Sequence, residues 1–429
     1  MLQLLSRHRV LAAYLLSLGW LGASALIFAL YAGRGGDNVA FIASVIAGVT
    51  LVYAGAWWLA RRLWPQWTQS PTERSTPPQL TPALRVLLVA LVGLYAFIVT
   101  KHFALTGYVP MIEALSGGSE LDVSIVRQGG YFDLPGFMRY ASDYSAKALG
   151  PALLLVTYYF RSRLFWVVLA IGVFYSTGLF ARILPIMLLA PLLLLMLTQQ
   201  RWLHAVGIAA LLCFQLAFAT AVASPVIREA LQLPNIADRA PKAGEEGAYF
   251  SPGDVKIPKN LKLPPKRPDD WRHTSIVYSF YDRMLLVPGQ VIDQWFQYYA
   301  EPERRERGCG YRLVAPMLAC SYVPIPSKLY ATFYEDNVAQ GMHGSLNAAS
   351  FMTEYANFGP AGFLLSALMG GLLFAAVSLI YRNHPLALPM NLSLIVIAME
   401  TSLLTAINSG SGWLVMTAIF IVFFRLPAR

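Results

Sequence analysis

The residues with the clearest chemical potential are a few arginines, set in a chain that is otherwise strongly apolar. Arg182 interrupts an apolar stretch at 164–197, where a guanidinium is costly unless it is paired or faces a wet cavity. Its planar fork matches phosphate oxygens in pairs, so a diphosphate ligand is the favoured interpretation. A turn arginine paired with Glu400 is the alternative. Arg283 is the second candidate, although a salt bridge to the adjacent Asp282 would also explain it.

Four further arginines are weaker candidates for binding phosphate or glycan, because loop arginines are often only solvated. Two lie in a Gly-rich loop at 101–145 and two in the long polar segment that follows position 224; they are Arg127, Arg139, Arg272 and Arg312. The alternating charges of 301–307 are expected to form a solvated face whose charges compensate one another.

Three side chains could accept a proton from a substrate hydroxyl. Glu354 precedes the eighth apolar span at its outer edge, where a partly buried carboxylate suits general-base catalysis, although an acid that complements a helix dipole would look the same. His343, flanked by Gly341 and Gly344, has a suitable intrinsic pKa. Glu400, within the ninth span, is better explained as a structural partner of an arginine or of the turn that follows.

The elements that must position these residues are membrane spans. The chain has 429 residues, of which 56% are hydrophobic and 13% charged, and its apolar runs of about 20 residues can each cross a hydrocarbon core. The sequence therefore predicts an all-α polytopic membrane protein. About ten transmembrane helices are expected, at 10–31, 39–60, 84–100, 146–160, 164–181, 183–198, 203–224, 360–381, 386–407 and 413–424.

These spans divide the chain into three parts. Residues 1–224 carry the first seven spans with an external loop at 101–145, residues 225–346 form a large external loop, and residues 347–429 carry the last three spans. Within the large loop, 234–268 is rich in Pro and Lys and is expected to be an extended strap. The apolar spacing of 271–299 predicts short amphipathic helices on the membrane face. Its aromatic residues, including Tyr281, could stack on sugars or form an interface belt.

The net charge of +10 is a topology signal. Placing Arg7 and Arg9 in the cytoplasm puts most of the short-loop arginines inside as well, as the positive-inside rule requires, so both termini are predicted to be cytoplasmic. No basic stripe interleaves with stacking aromatics, which argues against nucleic-acid binding. The inside loops are too short for a nucleotide-binding domain and the phosphate-binding glycine motifs are missing from the sequence, so no cofactor is expected.

Two of the three cysteines, Cys309 and Cys320, lie in the large external loop. We predict a disulfide between them, which implies an oxidising compartment such as the periplasm. The alternative of a zinc pair lacks a His or a third Cys at ligand spacing. The acids Glu120 and Asp122 are interpreted as ordinary loop residues, so no metal site is expected.

Three segments resemble the Wzy-type polymerases of polysaccharide repeat units. They are RMLLVPGQVIDQWFQYY, which begins at Arg283, NAASFMTEYANFGPAG, which begins at Asn347, and STGLFAR, which ends at Arg182. Many spans with one large external loop late in the chain are also similar to that family. Where the family often has Gly-Asp before Tyr-Ala-Asn-Phe-Gly, this chain has Thr353 and Glu354.

The resemblance implies an inverting, metal-independent glycosyltransferase with a GT-C-like fold, acting at the periplasmic face of a bacterial inner membrane. The implied donor and acceptor are glycans on undecaprenyl diphosphate, as in O-antigen or exopolysaccharide biosynthesis. A chain-length regulator of the polysaccharide co-polymerase type is a candidate partner. The matching motif adds Asn347, Tyr355 and Asn357 to the expected substrate-binding residues.

Three alternatives stay open. A ligase of the O-antigen type, which moves finished polymer onto a lipid A core, is poorly separated from a polymerase by sequence of this kind. A lipid-linked oligosaccharide flippase should have charges along several spans and short loops, whereas this chain has few intramembrane charges, one large loop and no transporter-like internal repeat. A structural partner of a synthase complex is the last alternative.

Overall fold

A computed structural model describes residues 8–65, 80–116, 126, 129–130, 134–223, 281–335, 338, 344–382 and 384–426. Within these ranges the regular secondary structure is helical, without a strand. The all-α prediction is therefore confirmed for the described part of the chain.

The α-helices are numbered in chain order. They are α1 (Arg9–Ala32), α2 (Gly36–Leu63), α3 (Pro82–Thr106), α4 (Pro110–Ser116), α5 (Gly136–Tyr144), α6 (Gly150–Tyr159), α7 (Leu164–Gly178), α8 (Ile183–Thr198), α9 (Trp202–Ala223), α10 (Val287–Tyr299), α11 (Ile325–Phe333), α12 (Ser350–Phe358), α13 (Gly362–Tyr381), α14 (Ala387–Ala398), α15 (Leu403–Thr405) and α16 (Trp413–Phe420). Four π-helical segments adjoin α6, α10, α15 and α16, at Ser145–Leu149, Asp282–Leu286, Ala406–Gly410 and Ile421–Arg425.

Five helices among the described residues are long and apolar enough to cross a membrane: α1, α2, α3, α9 and the combined helix Ser350–Tyr381, which contains α12 and α13. A sixth span results if Leu403–Gly410 and Trp413–Arg425, which are bent by 65° relative to each other, are counted as one. Helices α7, α8 and α14 are apolar but shorter. About 20 helical residues cover a hydrocarbon core, so these helices are those of a membrane protein.

The predicted ninth span at 386–407 is divided in the structure. Helix α14 ends at Ala398, a short polar segment follows, and α15 begins only at Leu403. Glu400 lies in this break and is exposed, so it is not buried within one continuous helix as the predicted span implied. A carboxylate placed in a helix break avoids the cost of burial inside a continuous apolar helix.

The chain forms two compact units, each assembled from distant segments. Unit 1 comprises Met1–Gln69, Gly244–Leu379 and Ile395–Leu404, and unit 2 comprises Ser70–Ala243, Ile380–Leu394 and Thr405–Arg429. Unit 1 contains α1, α2, α10, α11, α12 and nearly all of α13. Unit 2 contains α3 to α9 and α16.

In unit 1, α10 packs closely along α1. A Cβ atom at Gly289 would overlap the carbonyl oxygen of Ser24 and the side chain of Phe28, so only glycine permits this approach of the two helices. The Ser24 hydroxyl donates to the carbonyl oxygen of Leu285, just before α10. The described part of the predicted amphipathic region is therefore helical, and one of its faces packs on α1.

A salt bridge and aromatic contacts complete this packing. Arg34, two residues after α1, donates to the Asp293 carboxylate on α10 at 3.2 Å. Three residues further along α10, the ring of Phe296 lies 4.3 Å from that of Tyr355 on α12. Helix α10 thus joins the first helix of unit 1 to the helix that carries Glu354.

In unit 2, polar side chains join α7 to its neighbours. His102 on α3 is hydrogen-bonded to the Tyr175 hydroxyl at 2.9 Å. Gln215 on α9 donates to the hydroxyl oxygens of Ser176 at 3.1 Å and Thr177 at 2.6 Å. Ser176 and Thr177 of the STGLFAR motif therefore join α7 to α9.

Candidate functional site

The centre of the candidate site is a loop that is closed by the predicted disulfide. The Sγ atoms of Cys309 and Cys320 are 2.07 Å apart and their Cα atoms 6.0 Å apart, so the predicted pairing is confirmed. The backbone N–H of Val323 also donates to the carbonyl oxygen of Cys309 at 2.9 Å. The loop 309–323 is thus closed by a covalent bond and by a backbone hydrogen bond.

Asn357 fastens this loop to α12. Its side-chain oxygen accepts hydrogen bonds from the backbone N–H groups of Gly308 at 2.8 Å and Gly310 at 3.1 Å, and its amide nitrogen donates to the Thr353 carbonyl oxygen at 2.8 Å. The Asn357 carbonyl oxygen also accepts from the N–H of Arg307 at 3.1 Å. Asn357 is only 1% exposed and holds the loop in this structure, so the substrate contact that the motif resemblance implied stays a prediction.

The loop places Tyr311 over Glu354. The Tyr311 hydroxyl donates to Glu354 Oε1 at 3.1 Å, and Glu354 has no exposed surface. Its second oxygen, Oε2, has no hydrogen-bond partner among the described residues. The nearby Ser366 hydroxyl is directed to the carbonyl oxygen of Gly362 at 3.0 Å. Glu354 is therefore a buried carboxyl that is held by one oxygen, and it is more deeply buried than the outer-edge position predicted for it.

Burial and the neighbouring carboxyl both act on Tyr311. They raise the pKa of its phenol well above the ordinary value of 10.0, because both disfavour the phenolate. Tyr311 therefore stays protonated near neutral pH and keeps its role as donor. The residue types around Cys309 gave no reason to select Tyr311, because its partner is 43 positions away in the sequence.

Basic residues lie on the neighbouring segment 298–307. Arg304 forms a salt bridge with Glu301 at 2.6 Å, and Lys328 on α11 forms one with Glu306 at 2.7 Å. Both cations also lie 5.5 Å from the ring centre of Tyr298. The charges compensate one another as expected, with Lys328 as a member that the sequence did not indicate. The Glu306 side chain is only 8% exposed, so this part of the face is not solvated as predicted.

Arg305 behaves differently from its neighbours. Its guanidinium donates to the carbonyl oxygens of Tyr299 at 3.5 Å and Ala300 at 3.2 Å. It also covers Gly359, where φ is +64° and a Cβ atom would overlap the guanidinium. Arg305 therefore contacts both the end of α10 and the end of α12.

The other predicted residues of unit 1 occupy different environments. Arg283 and Tyr281 are exposed at the start of the segment that leads into α10, and Arg312 is exposed in the disulfide loop beside Tyr311. Asn347 is exposed just before α12. Tyr355 is buried and its ring packs 5.2 Å from that of Phe41, so the substrate contact that the motif implied stays a prediction.

The remaining predicted residues lie in unit 2 or outside the described residues. In unit 2, Arg182 directly precedes α8 and Arg139 lies on α5, and both are partly buried. Three candidates, His343, Arg127 and Arg272, and the expected strap at 234–268 fall outside the described residues. The structure therefore brings together Glu354, Asn357, Arg312 and the disulfide.

Among the residues that the structure describes, no group of three or more His, Cys, Asp or Glu side chains could hold a metal ion. Comparisons with family models, curated proteins and solved structures gave no match to this chain. The resemblance to Wzy-type polymerases therefore stays a prediction that depends on the three sequence motifs.

Proposed function

We propose that this protein is an inverting, metal-independent membrane glycosyltransferase that polymerises lipid-linked oligosaccharide repeat units. The observation that carries the proposal is the Glu354 carboxyl, which is buried in the motif at 347–362, is oriented by Tyr311 and keeps one oxygen without a partner among the described residues. A general base needs an oxygen that can take a proton from the acceptor hydroxyl.

The proposed reaction is a single displacement. The acceptor hydroxyl oxygen forms a bond to the anomeric carbon of the donor sugar while the bond from that carbon to the diphosphate oxygen breaks. The hydroxyl proton passes to Glu354 Oε2, and the lipid diphosphate leaves with the bonding electrons. Because Oε2 is buried, the acceptor reaches it only after the disulfide loop or the segment before α12 moves.

Cations near the leaving group would stabilise its growing negative charge. In unit 1, exposed Arg283 and Arg312 are the proposed phosphate-binding and glycan-binding residues, with exposed Tyr281 and Asn347 as further contacts. Arg182 and Arg139 are proposed to bind the diphosphate or the glycan on the basis of the sequence alone. His343 is the alternative base.

The proposed setting is the inner membrane of a bacterium, with about ten spans, a GT-C-like fold, cytoplasmic termini and a periplasmic active site. The Cys309–Cys320 disulfide supports an oxidising compartment for the loop that carries Tyr311. Both substrates would be undecaprenyl-diphosphate-linked glycans delivered through the bilayer, and a chain-length regulator is a proposed partner.

The test is to incubate the purified protein in nanodiscs with undecaprenyl-diphosphate repeat units, without nucleotide or added metal, and to separate the products on a gel. A ladder of chain lengths is expected. Glu354→Gln should lower turnover on the order of 10²-fold or more if Glu354 is the base, with little change in donor binding. The matched control is Glu301→Gln, which removes a half-exposed carboxylate from the same unit.

The alternatives give different products. A ligase would produce no ladder from repeat units alone, but would transfer preformed polymer when a lipid A core acceptor is added. A flippase, reconstituted in sealed proteoliposomes, would move labelled lipid from one leaflet to the other without forming any glycosidic bond. A ladder that persists unchanged in Glu354→Gln would shift the role of base to His343.

A further inference from the structure

One end of unit 2 gathers arginines from four separate turns and helix ends. Arg161 lies between α6 and α7, Arg201 directly precedes α9, Arg382 directly follows α13, and Arg425 ends the π-helical segment after α16. The Arg425 guanidinium donates two hydrogen bonds to the carbonyl oxygen of Ile380, at 3.0 and 2.8 Å. These bonds tie the last helix to the turn that contains Arg382.

Aromatic rings connect the same segments. The ring of Tyr159 lies 5.4 Å from that of His384 and 5.2 Å from that of Phe424, and Phe160 stacks on Phe424 at 5.3 Å. The ends of α6 and α16 and the segment before α14 therefore meet on one aromatic cluster, formed by Tyr159, Phe160, His384 and Phe424.

Arg201 joins this end through Tyr158. Its Nη1 donates to the Tyr158 hydroxyl at 3.3 Å, and its guanidinium lies 5.5 Å from the ring centre. The neighbouring Arg161 and Arg163 are exposed. The result is a basic rim beside an aromatic floor, which we call the basic end of unit 2: Arg161, Arg163, Arg201, Arg382 and Arg425.

The surrounding sequence supplies almost no negative charge. No Asp or Glu occurs at 144–228 or at 401–429. Within the described part of the chain, Arg161, Arg163, Arg201 and Arg425 form no salt bridge. This differs from the basic segment of unit 1, where Arg304 and Lys328 each pair with a glutamate.

Topology alone explains part of this pattern, because short cytoplasmic loops collect arginine and cations suit helix C-termini. The left-handed backbone of Arg161, with φ of +52°, belongs to the turn that ends α6, where the N–H of Ser162 donates to the carbonyl oxygen of Thr157. Gln200, with φ of +57°, ends α8 in the same way, so these turns are ordinary helix ends.

We propose that the basic end of unit 2 binds the phosphate headgroup of an anionic membrane lipid. Guanidinium groups pair with phosphate oxygens, and basic pockets between the cytoplasmic ends of membrane helices attract anionic headgroups. The aromatic floor suits the apolar glycerol and acyl part of a lipid and favours it over a free phosphate ion. This site shares no residue with the proposed polymerase chemistry, which involves Glu354 in unit 1 and Arg139 and Arg182 in unit 2.

The test is a lipid-dependent thermal shift of the purified full-length protein in neutral detergent, followed by tryptophan fluorescence. Phosphatidylglycerol or cardiolipin should raise the midpoint, whereas phosphatidylcholine at the same mole fraction and inorganic phosphate at the same concentration should not. In Arg201→Gln/Arg425→Gln the apparent affinity for the anionic lipid should fall on the order of 10-fold. The matched control is Arg61→Gln/Arg62→Gln, which removes two exposed arginines from the last turn of α2.

Three results would overturn the proposal: an equal shift with phosphatidylcholine, an equal shift with inorganic phosphate alone, or an unchanged affinity in Arg201→Gln/Arg425→Gln. If that variant does not fold, Arg161→Gln/Arg163→Gln replaces it, because both side chains are exposed and their loss disturbs no packing. Native mass spectrometry then counts the retained lipids. If Arg161→Gln/Arg163→Gln retains as many anionic lipids as the wild type, the proposed site is refuted as well.

Discussion

Replacing Tyr311 with Phe should destabilise the protein, whereas replacing Glu354 with Gln should not. The Tyr311 hydroxyl donates to Glu354 Oε1 at 3.1 Å, and the two side chains are 6% and 0% exposed. Tyr311→Phe therefore leaves a buried carboxyl with neither oxygen partnered among the described residues. The loss of a donor to a buried acceptor is one of the few single changes that are strongly destabilising.

The magnitude follows from the hydrogen bond that is lost. A hydrogen bond to a charged group contributes about 1.5–3 kcal/mol, and an unsatisfied buried group costs its full desolvation penalty. Tyr311→Phe should therefore lower the free energy of unfolding by about 2–3 kcal/mol. Gln at position 354 keeps an oxygen that accepts from Tyr311 and removes the need to bury a charge, so the free energy of unfolding should change by less than about 1 kcal/mol or increase.

The assay is reversible unfolding by a denaturing detergent in mixed micelles, followed by tryptophan fluorescence. Tyr322→Phe is the control, because Tyr322 follows the same disulfide and is 42% exposed, so it should change little. If Glu354→Gln is as unstable as Tyr311→Phe, the Glu354 charge itself is required for stability. That outcome would contradict the prediction, since it means that a cation stabilises the Glu354 carboxylate.

Three further predictions concern the elements around the site. Replacing Cys309 and Cys320 with Ser should cost about 3 kcal/mol, from the entropy of the short loop that they close; identical unfolding with and without reductant in the wild type would contradict this. Gly289→Ala should cost about 1–3 kcal/mol, because its Cβ atom has no space, whereas the control Gly19→Ala, with nothing within 4 Å, should be neutral or stabilising. Burial, followed by the nearby Glu306 charge, raises the pKa of Tyr299 well above 10.0. The folded state thus favours the neutral phenol, so this contribution to the free energy of unfolding should be fully present below about pH 10 and fall at higher pH. Tyr299→Phe should reduce the fall. An equal fall in the wild type and the variant would contradict the prediction.

Hydropathy was a sufficient guide to the long helices. The first three predicted spans lie within α1, α2 and α3, because about 20 uninterrupted apolar residues leave the backbone no alternative to helix in a membrane. The same reasoning could not locate the break at 399–402. Glu400 and its polar neighbours lie in this break, between apolar helices on both sides. A sliding average of hydropathy does not detect so short a polar segment.

The spacing of Cys309 and Cys320 and their place in the predicted external loop were also sufficient to predict the disulfide. They could not indicate what the disulfide positions, because the Tyr311–Glu354 contact depends on how the closed loop lies against α12. Residues far apart in sequence meet there through backbone hydrogen bonds to Asn357. No local pattern of residue types contains that information.

The motif at 347–362 therefore combines two kinds of residue that looked alike in the sequence. Asn357 lies three positions after Glu354, nearly one helical turn along α12, so the same helix that carries the acid also presents the amide that fixes the disulfide loop. The loop in turn places the Tyr311 hydroxyl within hydrogen-bond distance of the Glu354 carboxyl. A polar residue in such a motif can thus be required for activity without touching substrate. Loss of polymer in an Asn357 variant would consequently identify a catalytic contact only if its unfolding free energy were unchanged.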